Sequence, residues 1–128
     1  MLLDAPCTST GTIRRHPDVA WLKRPQDILS LAALQTRMLN RAAALVNPGG
    51  RLVFCTCSLF TEEGEAQIAP FLAAHPDFAL LPIDPQEIAG LDDLVTGEGT
   101  LRTLPCHGFG SNATLGMDGF FAARFVRR

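Results

Sequence analysis

The chain is predicted to be an α/β domain that starts with parallel strands and finishes with an antiparallel one. The first observation is a nearly uncharged run, Arg51–Ser58, directly after Asn47-Pro48-Gly49-Gly50. Such a run is typical of a strand buried on both faces of a parallel sheet. The second is an amphipathic helical pattern before that turn, and the third is an apolar run, Gly119–Val126, near the C-terminus. Strands alternating with helices indicate an α/β sheet, in which ligands bind beyond the carboxyl ends of the strands.

The N-terminal stretch combines a short strand with a basic loop. Met1–Asp4 is apolar up to its final carboxylate, and Pro6-Cys7 forms a turn directly after it. The following loop has no regular pattern. It contains the clearest basic cluster of the chain, with the only tryptophan between its two halves: Arg14, Arg15, His16, Trp21, Lys23 and Arg24.

A long helix is predicted from Pro25 to about Val46. Proline suits the first turn of a helix, and Asp27 suits the positive end of the helix dipole. The residues that recur at three-to-four spacing are Ile28, Leu31, Ala32, Gln35, Met38, Leu39, Ala42, Leu45 and Val46. This spacing places them on one face, so Leu31, Met38 and Leu45 are expected in the core.

Shorter elements follow the central strand. Thr61 is a candidate N-cap, and a helix is expected from there to about Ala74, kinked or starting late because of Pro70. The remaining predictions are a strand at Phe78–Leu81, a surface connection over 84–99 with one helical turn at Pro85–Ala89, a minor strand at Leu101–Leu104, a loop over 106–117 and a last strand at Gly119–Val126.

Length and composition restrict the class of protein. The chain has 128 residues, 47% hydrophobic content and a net charge of −2, which fit one globular domain without overall attraction to nucleic acid. No apolar run is long enough for a membrane helix, so no membrane association is expected. The N-terminus shows no secretory signal, so a cytoplasmic location with reduced thiols is expected.

The cysteines are interpreted as free thiols. Cys55 and Cys57 lie on one predicted strand, where they make a poor disulfide pair. Cys55 is expected to be a small apolar residue inside that strand. Zinc is a weaker alternative, because Cys55-Thr56-Cys57 lacks the usual spacing and Cys106-His107 would have to complete the site. No metal is therefore expected.

Two thiols and a carboxylate are expected to converge at one edge of the sheet. Cys7 follows the first strand and Cys57 ends the next one. One crossover helix joins these strands, which predicts that they are neighbours in the sheet. Both thiols and Asp4 then lie at the edge where such folds bind ligands, within several ångströms of one another. Cys57 is the candidate nucleophile.

Five short motifs occur in a specific order along nearly the whole chain. They are Asp4-Ala5-Pro6-Cys7-Thr8-Ser9-Thr10-Gly11, Arg14-Arg15-His16-Pro17-Asp18, Gln35 in the long helix, Thr56-Cys57-Ser58 and Asp118-Gly119-Phe120-Phe121. This combination resembles the Sun/Fmu family of RNA cytosine-5 methyltransferases, several of which act on ribosomal RNA. The resemblance implies a Rossmann-like fold, S-adenosylmethionine as cofactor, and ribosomal or transfer RNA as partner.

The resemblance also implies a role for individual residues. Cys57 falls on the family's nucleophile, and Cys7 falls on a second cysteine that assists release of the covalent product. Asp4 falls on an acidic residue that contacts the methyl donor and the base. No role is assigned to Asp118. The matched residues expected to contact the RNA substrate are Pro6, Arg14 and Arg15.

The chemistry of the family accounts for these residue types. Carbon 5 of cytosine becomes nucleophilic after a thiolate adds to carbon 6, so Cys57 needs a lowered pKa or a partner that takes its proton. Cys7, or a water that it positions, is the candidate for removing the carbon-5 proton. The target base must be unpaired or flipped out. The basic loop would hold phosphates and Trp21 would stack on a base, unless the loop is simply solvated with a packed tryptophan.

Residues 1–128 are interpreted as the C-terminal half of a methyltransferase catalytic domain, with the donor-binding first half absent. The family's glycine-rich turn has no counterpart, because Gly97-Glu98-Gly99 follows no strand and opens no helix. Met1–Asp4 would then be an exposed edge strand that favours self-association. Two other functions remain open: an RNA-binding remnant in which Cys57 is dispensable, and a redox protein that forms a reversible Cys7–Cys57 disulfide.

Overall fold

The computed structural model describes residues 1–108 and 116–128. Its strands are β1 (Leu2–Asp4), β2 (Arg51–Thr56), β3 (Phe78–Leu80), β4 (Leu101–Thr103) and β5 (Phe120–Arg127). Its α-helices are α1 (Val19–Leu22), α2 (Pro25–Leu45) and α3 (Ile68–Ala74). Short 3-10 turns occupy Thr10–Thr12, Thr61–Glu63, Glu65–Gln67, Pro85–Ile88 and Asp92–Leu94. None of the described helices is long and apolar enough to cross a bilayer.

The strands form one mixed sheet in the order β1-β2-β5-β3, and β4 also pairs with β5. β1 lies parallel to β2, with Leu2 opposite Val53 and Asp4 opposite Cys55. β5 is antiparallel to β2, β3 and β4. The first four strands therefore run in one direction and the last strand runs against them, which confirms the predicted fold class.

The core lies between the helices and one face of the sheet. Leu52 and Phe54 of β2 are fully buried there beside Phe125 of β5. The ring of Phe71 from α3 packs on Phe125 with a centroid separation of 4.7 Å. Val53 points to the opposite face and stays half-buried, so the burial expected on both faces of β2 is only partly realised.

Helix α2 begins and ends close to where the sequence predicts, but one residue of its predicted apolar face is exposed. Pro25 begins it, and the Asp27 carboxylate accepts a hydrogen bond from the backbone N–H of Arg24 at 2.8 Å. Leu39 is buried as predicted, whereas Leu45 is 71% exposed, so its predicted place in the core is wrong. The reason is that β1 is the edge of the sheet in the described residues, which leaves an open groove of about 360 Å³ beside it. The groove is lined by Met1, Leu2, Leu3, Arg37, Met38, Arg41, Ala42 and Leu45.

The helix predicted from Thr61 starts late. Two 3-10 turns occupy its expected first half, and α3 begins only at Ile68. Pro70 then falls in the first turn of α3, where the missing N–H has no helical partner to lose. Thr61 does not cap the helix, because it lies inside the first 3-10 turn and Phe60 precedes that turn. The loop expected over 106–117 falls largely outside the described residues.

Candidate active site

The two cysteines predicted to converge do so. The Sγ atoms of Cys7 and Cys57 lie 3.4 Å apart. Parallel pairing of β1 with β2 brings their carboxyl ends together, and the backbone N–H of Ala5 extends the ladder by donating to the Cys55 carbonyl at 3.0 Å. Each cysteine follows the end of its strand, so the two turns meet at one edge of the sheet. The predicted distance of several ångströms is confirmed.

The two thiols have different surroundings. Cys7 is buried, while Cys57 is half-buried and accessible from the sheet edge. The pKa of the Cys7 thiol is raised to about 11 by burial and, to a smaller extent, by the neighbouring Cys57, against a hydrogen bond from the Ser9 N–H that lowers it. Cys7 is therefore a neutral thiol at physiological pH, and Cys57 is the thiol that a substrate can reach.

Asp4 lies at the same edge as the thiol pair but contacts a different cysteine. Its side chain is exposed, and its Oδ1 atom lies 3.8 Å from the Sγ atom of Cys55. Burial and, to a smaller extent, the Asp4 carboxylate together raise the pKa of the Cys55 thiol to about 11. Cys55 is buried inside β2, as the sequence predicts for a small apolar residue.

A buried carboxylate that the sequence did not single out joins the two cysteine turns. Glu63 is fully buried. It accepts hydrogen bonds from the Thr8 backbone N–H at 3.0 Å and from the Thr8 and Ser58 hydroxyls at 2.5 Å each. Gln35 donates to the same carboxylate at 3.1 Å and to the Pro6 carbonyl at 2.9 Å. The signal that points to this network is Gln35, a polar residue on an apolar helix face, which needs a buried partner.

Four further hydrogen bonds hold the backbone around Cys57. The backbone N–H of Gly11 donates to the Cys57 carbonyl at 2.9 Å, and the N–H of Gly119 donates to the Gly11 carbonyl at 2.8 Å. Arg102 donates to the Ser58 carbonyl at 2.6 Å and pairs with Glu65 through its Nε at 2.9 Å. These bonds fix the backbone on both sides of the candidate nucleophile.

The Asp118-Gly119-Phe120-Phe121 motif joins the basic loop to the sheet. Asp118 accepts a hydrogen bond from the Nε of Arg15 at 2.8 Å and lies 3.7 Å from Arg14. The hydrogen bond from Arg15 lowers the pKa of the Asp118 carboxyl. Phe121 is fully buried, as expected for a core strand, and Phe120 is half-buried. Asp118 thus orients two of the arginines expected to contact the substrate.

The rest of the basic loop borders a groove near the thiols. Trp21 is 89% exposed, so the alternative of a packed tryptophan is wrong. A groove of about 200 Å³ is lined by Thr10, Val19, Ala20, Lys23, Arg24, Pro25, Ile28 and Phe60. It adjoins the cysteine turns, because the Thr10 hydroxyl accepts a hydrogen bond from the Leu59 N–H at 3.0 Å. Pro6, which directly precedes Cys7, is also exposed.

The zinc alternative finds no support in residues 1–108 and 116–128. No three His, Cys, Asp or Glu side chains in these ranges come close enough together to hold a metal ion. Cys106 is an exposed free thiol.

Comparison with known proteins gives the family. The family model described as 16S rRNA methyltransferase RsmB/F matches residues 1–126. The chain belongs to this family. Ribosomal RNA small subunit methyltransferase B of Salmonella agona (strain SL483) is 41% identical over 128 residues, which are 100% of this chain and 26% of that protein. The chain therefore spans about a quarter of the length of this RsmB/F relative.

Solved structures agree with this assignment. A methyltransferase homolog protein from Pyrococcus horikoshii is 31% identical, with a TM-score of 0.69 over 99% of this chain and 38% of that one. NSun6 from Pyrococcus horikoshii with SFG is 25% identical, with a TM-score of 0.70 over 98% of this chain and 29% of that one. The resemblance to the Sun/Fmu methyltransferases and the Rossmann-like fold class are confirmed.

Proposed function

We propose that this chain carries the catalytic cysteines of an RNA cytosine-5 methyltransferase that modifies ribosomal RNA. The observation that carries the proposal is the pair of sulfur atoms, 3.4 Å apart, at the carboxyl ends of two parallel strands. The relatives' name supplies the substrate class, ribosomal RNA of the small subunit. Ribosomal RNA as substrate and the need for a reduced Cys57 both favour the cytoplasm.

Cys57 is the nucleophile in this proposal. Its sulfur adds to carbon 6 of an unpaired cytosine, and the electrons of the carbon 5–carbon 6 double bond then move toward carbon 5. Once carbon 5 has taken the methyl group from the donor's sulfonium, a water accepts the carbon-5 proton, the double bond re-forms and the Cys57 sulfur departs as a thiolate. The half-buried position of Cys57 allows a flipped-out base to reach it, while the buried Cys7 stays behind it.

Cys7 acts on the Cys57 sulfur and on a water, and does not itself remove a proton from the base. With a pKa of about 11, Cys7 keeps its proton at neutral pH and can donate it as a hydrogen bond to the Cys57 sulfur. Such a bond stabilises a thiolate and restrains its position. A neutral thiol is a poor base, so the route in which Cys7 positions a water to remove the carbon-5 proton is favoured.

S-adenosylmethionine would supply the methyl group. A bound S-adenosylmethionine needs a polar partner in the protein, and folds of this class bind ligands beyond the carboxyl ends of their strands. The exposed Asp4 carboxylate lies there, at the end of β1. The solved relative with SFG, an analogue of S-adenosylmethionine, supports this cofactor. Asp4 would therefore hold the donor.

The basic loop would hold the RNA. Arg14 and Arg15 are exposed and oriented by Asp118, so their guanidinium groups can contact phosphates. Lys23 and Arg24 border the groove beside the thiols. The exposed ring of Trp21 is available to stack on a base, an interaction that tolerates any sequence.

The experiment traps the covalent adduct. The chain is mixed with small-subunit ribosomal RNA that contains 5-azacytosine, whose carbon 6 accepts a thiolate, and adducts are counted on a denaturing gel. Wild type should form an adduct, Cys57→Ser should form none, and Cys106→Ser serves as the exposed-thiol control. Calorimetric titration of S-adenosylmethionine, with Asp4→Ala for comparison, tests the donor site.

The outcomes separate the competing functions. An adduct that persists in Cys57→Ser would refute Cys57 as the nucleophile. RNA binding without any adduct in wild type would indicate the RNA-binding remnant. A reversible Cys7–Cys57 disulfide that forms under mild oxidant, together with the absence of both adduct and RNA binding, would indicate the redox protein.

A further inference from the structure

We propose that Glu63 is the positioning residue that sets the distance and orientation between Cys7 and Cys57. The inference rests on the proposed function of these two thiols, and Glu63 itself touches neither sulfur in the contacts described. It acts through Thr8 and Ser58, the residues that directly follow the two cysteines in the chain.

The hydrogen bonds of Glu63 link the two turns at equivalent positions. The Thr8 hydroxyl and the Ser58 hydroxyl both donate to the same oxygen, Oε2, at 2.5 Å each. The Thr8 backbone N–H donates to Oε1 at 3.0 Å. A shift of either turn therefore stretches bonds to one carboxylate, and the two cysteines can only move together.

The carboxylate is itself held from two sides. The Thr56 hydroxyl at the end of β2 donates to the Glu63 carbonyl at 2.8 Å, which fixes the backbone. The Gln35 amide donates to Oε1 at 3.1 Å from α2 and also to the Pro6 carbonyl at 2.9 Å. This leaves the Gln35 Oε1 atom buried without a partner among the described residues. Gln35 thus leaves its own acceptor unsatisfied while it supports Glu63 and the Cys7 turn.

A carboxylate suits this site because both of its oxygens accept hydrogen bonds. In this arrangement every group that faces the carboxylate donates to it, and the salt bridges among the described residues do not include Glu63. A glutamine side chain at this position has nearly the same shape, but its NH₂ group faces either the N–H donors of Thr8 and Gln35 or the two hydroxyls, which must then turn their protons away. Hydrogen bonds to a carboxylate are also stronger than bonds to a neutral amide. Glu63→Gln should therefore separate the turns without removing side-chain volume.

The test uses the rate of chemical cross-linking between the two sulfurs to report on how close together they are held. The chain is treated with dibromobimane, a short reagent that joins two neighbouring thiols, and the rate of Cys7–Cys57 cross-linking is followed by peptide mass spectrometry. Glu63→Gln should slow this cross-linking by at least about tenfold, the effect expected when hydrogen bonds to a charged group are lost. Glu62→Gln, the exposed neighbour, is the matched control and should cross-link like wild type.

Folding is monitored alongside, by circular dichroism and thermal melting. If Glu63→Gln does not fold, Ser58→Ala and Thr8→Val remove one hydroxyl donor each and should both slow cross-linking while the fold persists. Wild-type cross-linking rates in a folded Glu63→Gln protein, or in both single-donor variants, would overturn the proposal. Neither RNA nor methyl donor is needed, so the result is independent of whether the adduct experiment succeeds.

Discussion

Gly11 and Gly119 pack backbone against backbone in the site, and Gly11→Ala tests whether the contact there is as tight as the structure indicates. A Cβ atom at residue 11 would overlap the carbonyl oxygen of Gly119 and would lie 2.6 Å from its carbonyl carbon. It would also lie 2.8 Å from the carbonyl oxygen of Cys57. All three atoms belong to the backbone, so no side-chain rotation can relieve the overlap.

The loss of stability in Gly11→Ala can be worked out from the backbone contacts that the added Cβ atom disrupts. Overpacking of a tight site costs about 1–3 kcal/mol. The Gly11 turn must also leave Cys57 and Gly119, which breaks two backbone hydrogen bonds of 2.9 and 2.8 Å. Each such bond contributes about 0.5–1.5 kcal/mol. Gly11→Ala should therefore lower the free energy of unfolding by about 2–6 kcal/mol, a large part of the stability of a small domain.

Urea unfolding followed by far-UV circular dichroism is the appropriate assay, because the only tryptophan, Trp21, is 89% exposed and its fluorescence would report little. Gly97→Ala is the matched control, since a Cβ atom there meets nothing within 4 Å. It should leave stability within about 0.5 kcal/mol of wild type. A Gly11→Ala protein as stable as the control would refute the close approach of the two glycines.

Three more predictions concern the thiols, the basic loop and the sheet edge. The pKa values of Cys7 and Cys55 rise from 9.0 to about 11 on folding, so the neutral thiols stabilise the fold fully below pH 9.0. This stabilisation should be lost as the pH rises from 9.0 to about 11, and urea unfolding under reducing conditions measures the loss. Stability that is constant over that range would contradict the burial of these thiols. Arg15→Gln should lower the salt dependence of single-stranded RNA binding by about 0.7 in logarithmic slope, whereas Asp118→Asn, which keeps both arginine charges, should leave this slope unchanged. Filter binding at several salt concentrations measures both, and equal shifts in the same direction would refute the assignment. Leu45→Arg should abolish any concentration-dependent dimer seen by analytical ultracentrifugation, because the 71% exposed leucine borders the β1 edge. A wild-type chain that stays monomeric at all concentrations would remove the self-association hypothesis.

The elements with a clear local pattern could be predicted from sequence. The periodicity of α2, its proline start and the turn with Gly49 at φ 77° all depend on residues that are close in the chain. The same holds for β2 and for the placement of Cys7 and Cys57 at strand ends. Parallel neighbours joined by one helix then bring these ends together, so the thiol pair could be predicted as well.

The sequence predictions were wrong where contacts between residues distant in the chain decide the structure. Thr61 favours a helix N-cap locally, yet two 3-10 turns form there instead and carry Glu63 into the core. Leu45 lies on the apolar face of α2 by its spacing, but its exposure depends on which strand lies beneath it. Trp21 could not be placed by pattern, because α1 (Val19–Leu22) is about one turn long, which is too short for a period that assigns a face.

By itself, the sequence determined the order of strands and helices, the cysteines at two strand ends and the ordered motifs of the methyltransferase family, because these depend on local propensity and residue identity. Only the tertiary structure decided that β5 lies between β2 and β3, and that Glu63 binds Thr8 across 55 positions of the chain. Such contacts have no local signature, since a buried carboxylate finds its donors only after the helices and the sheet have packed.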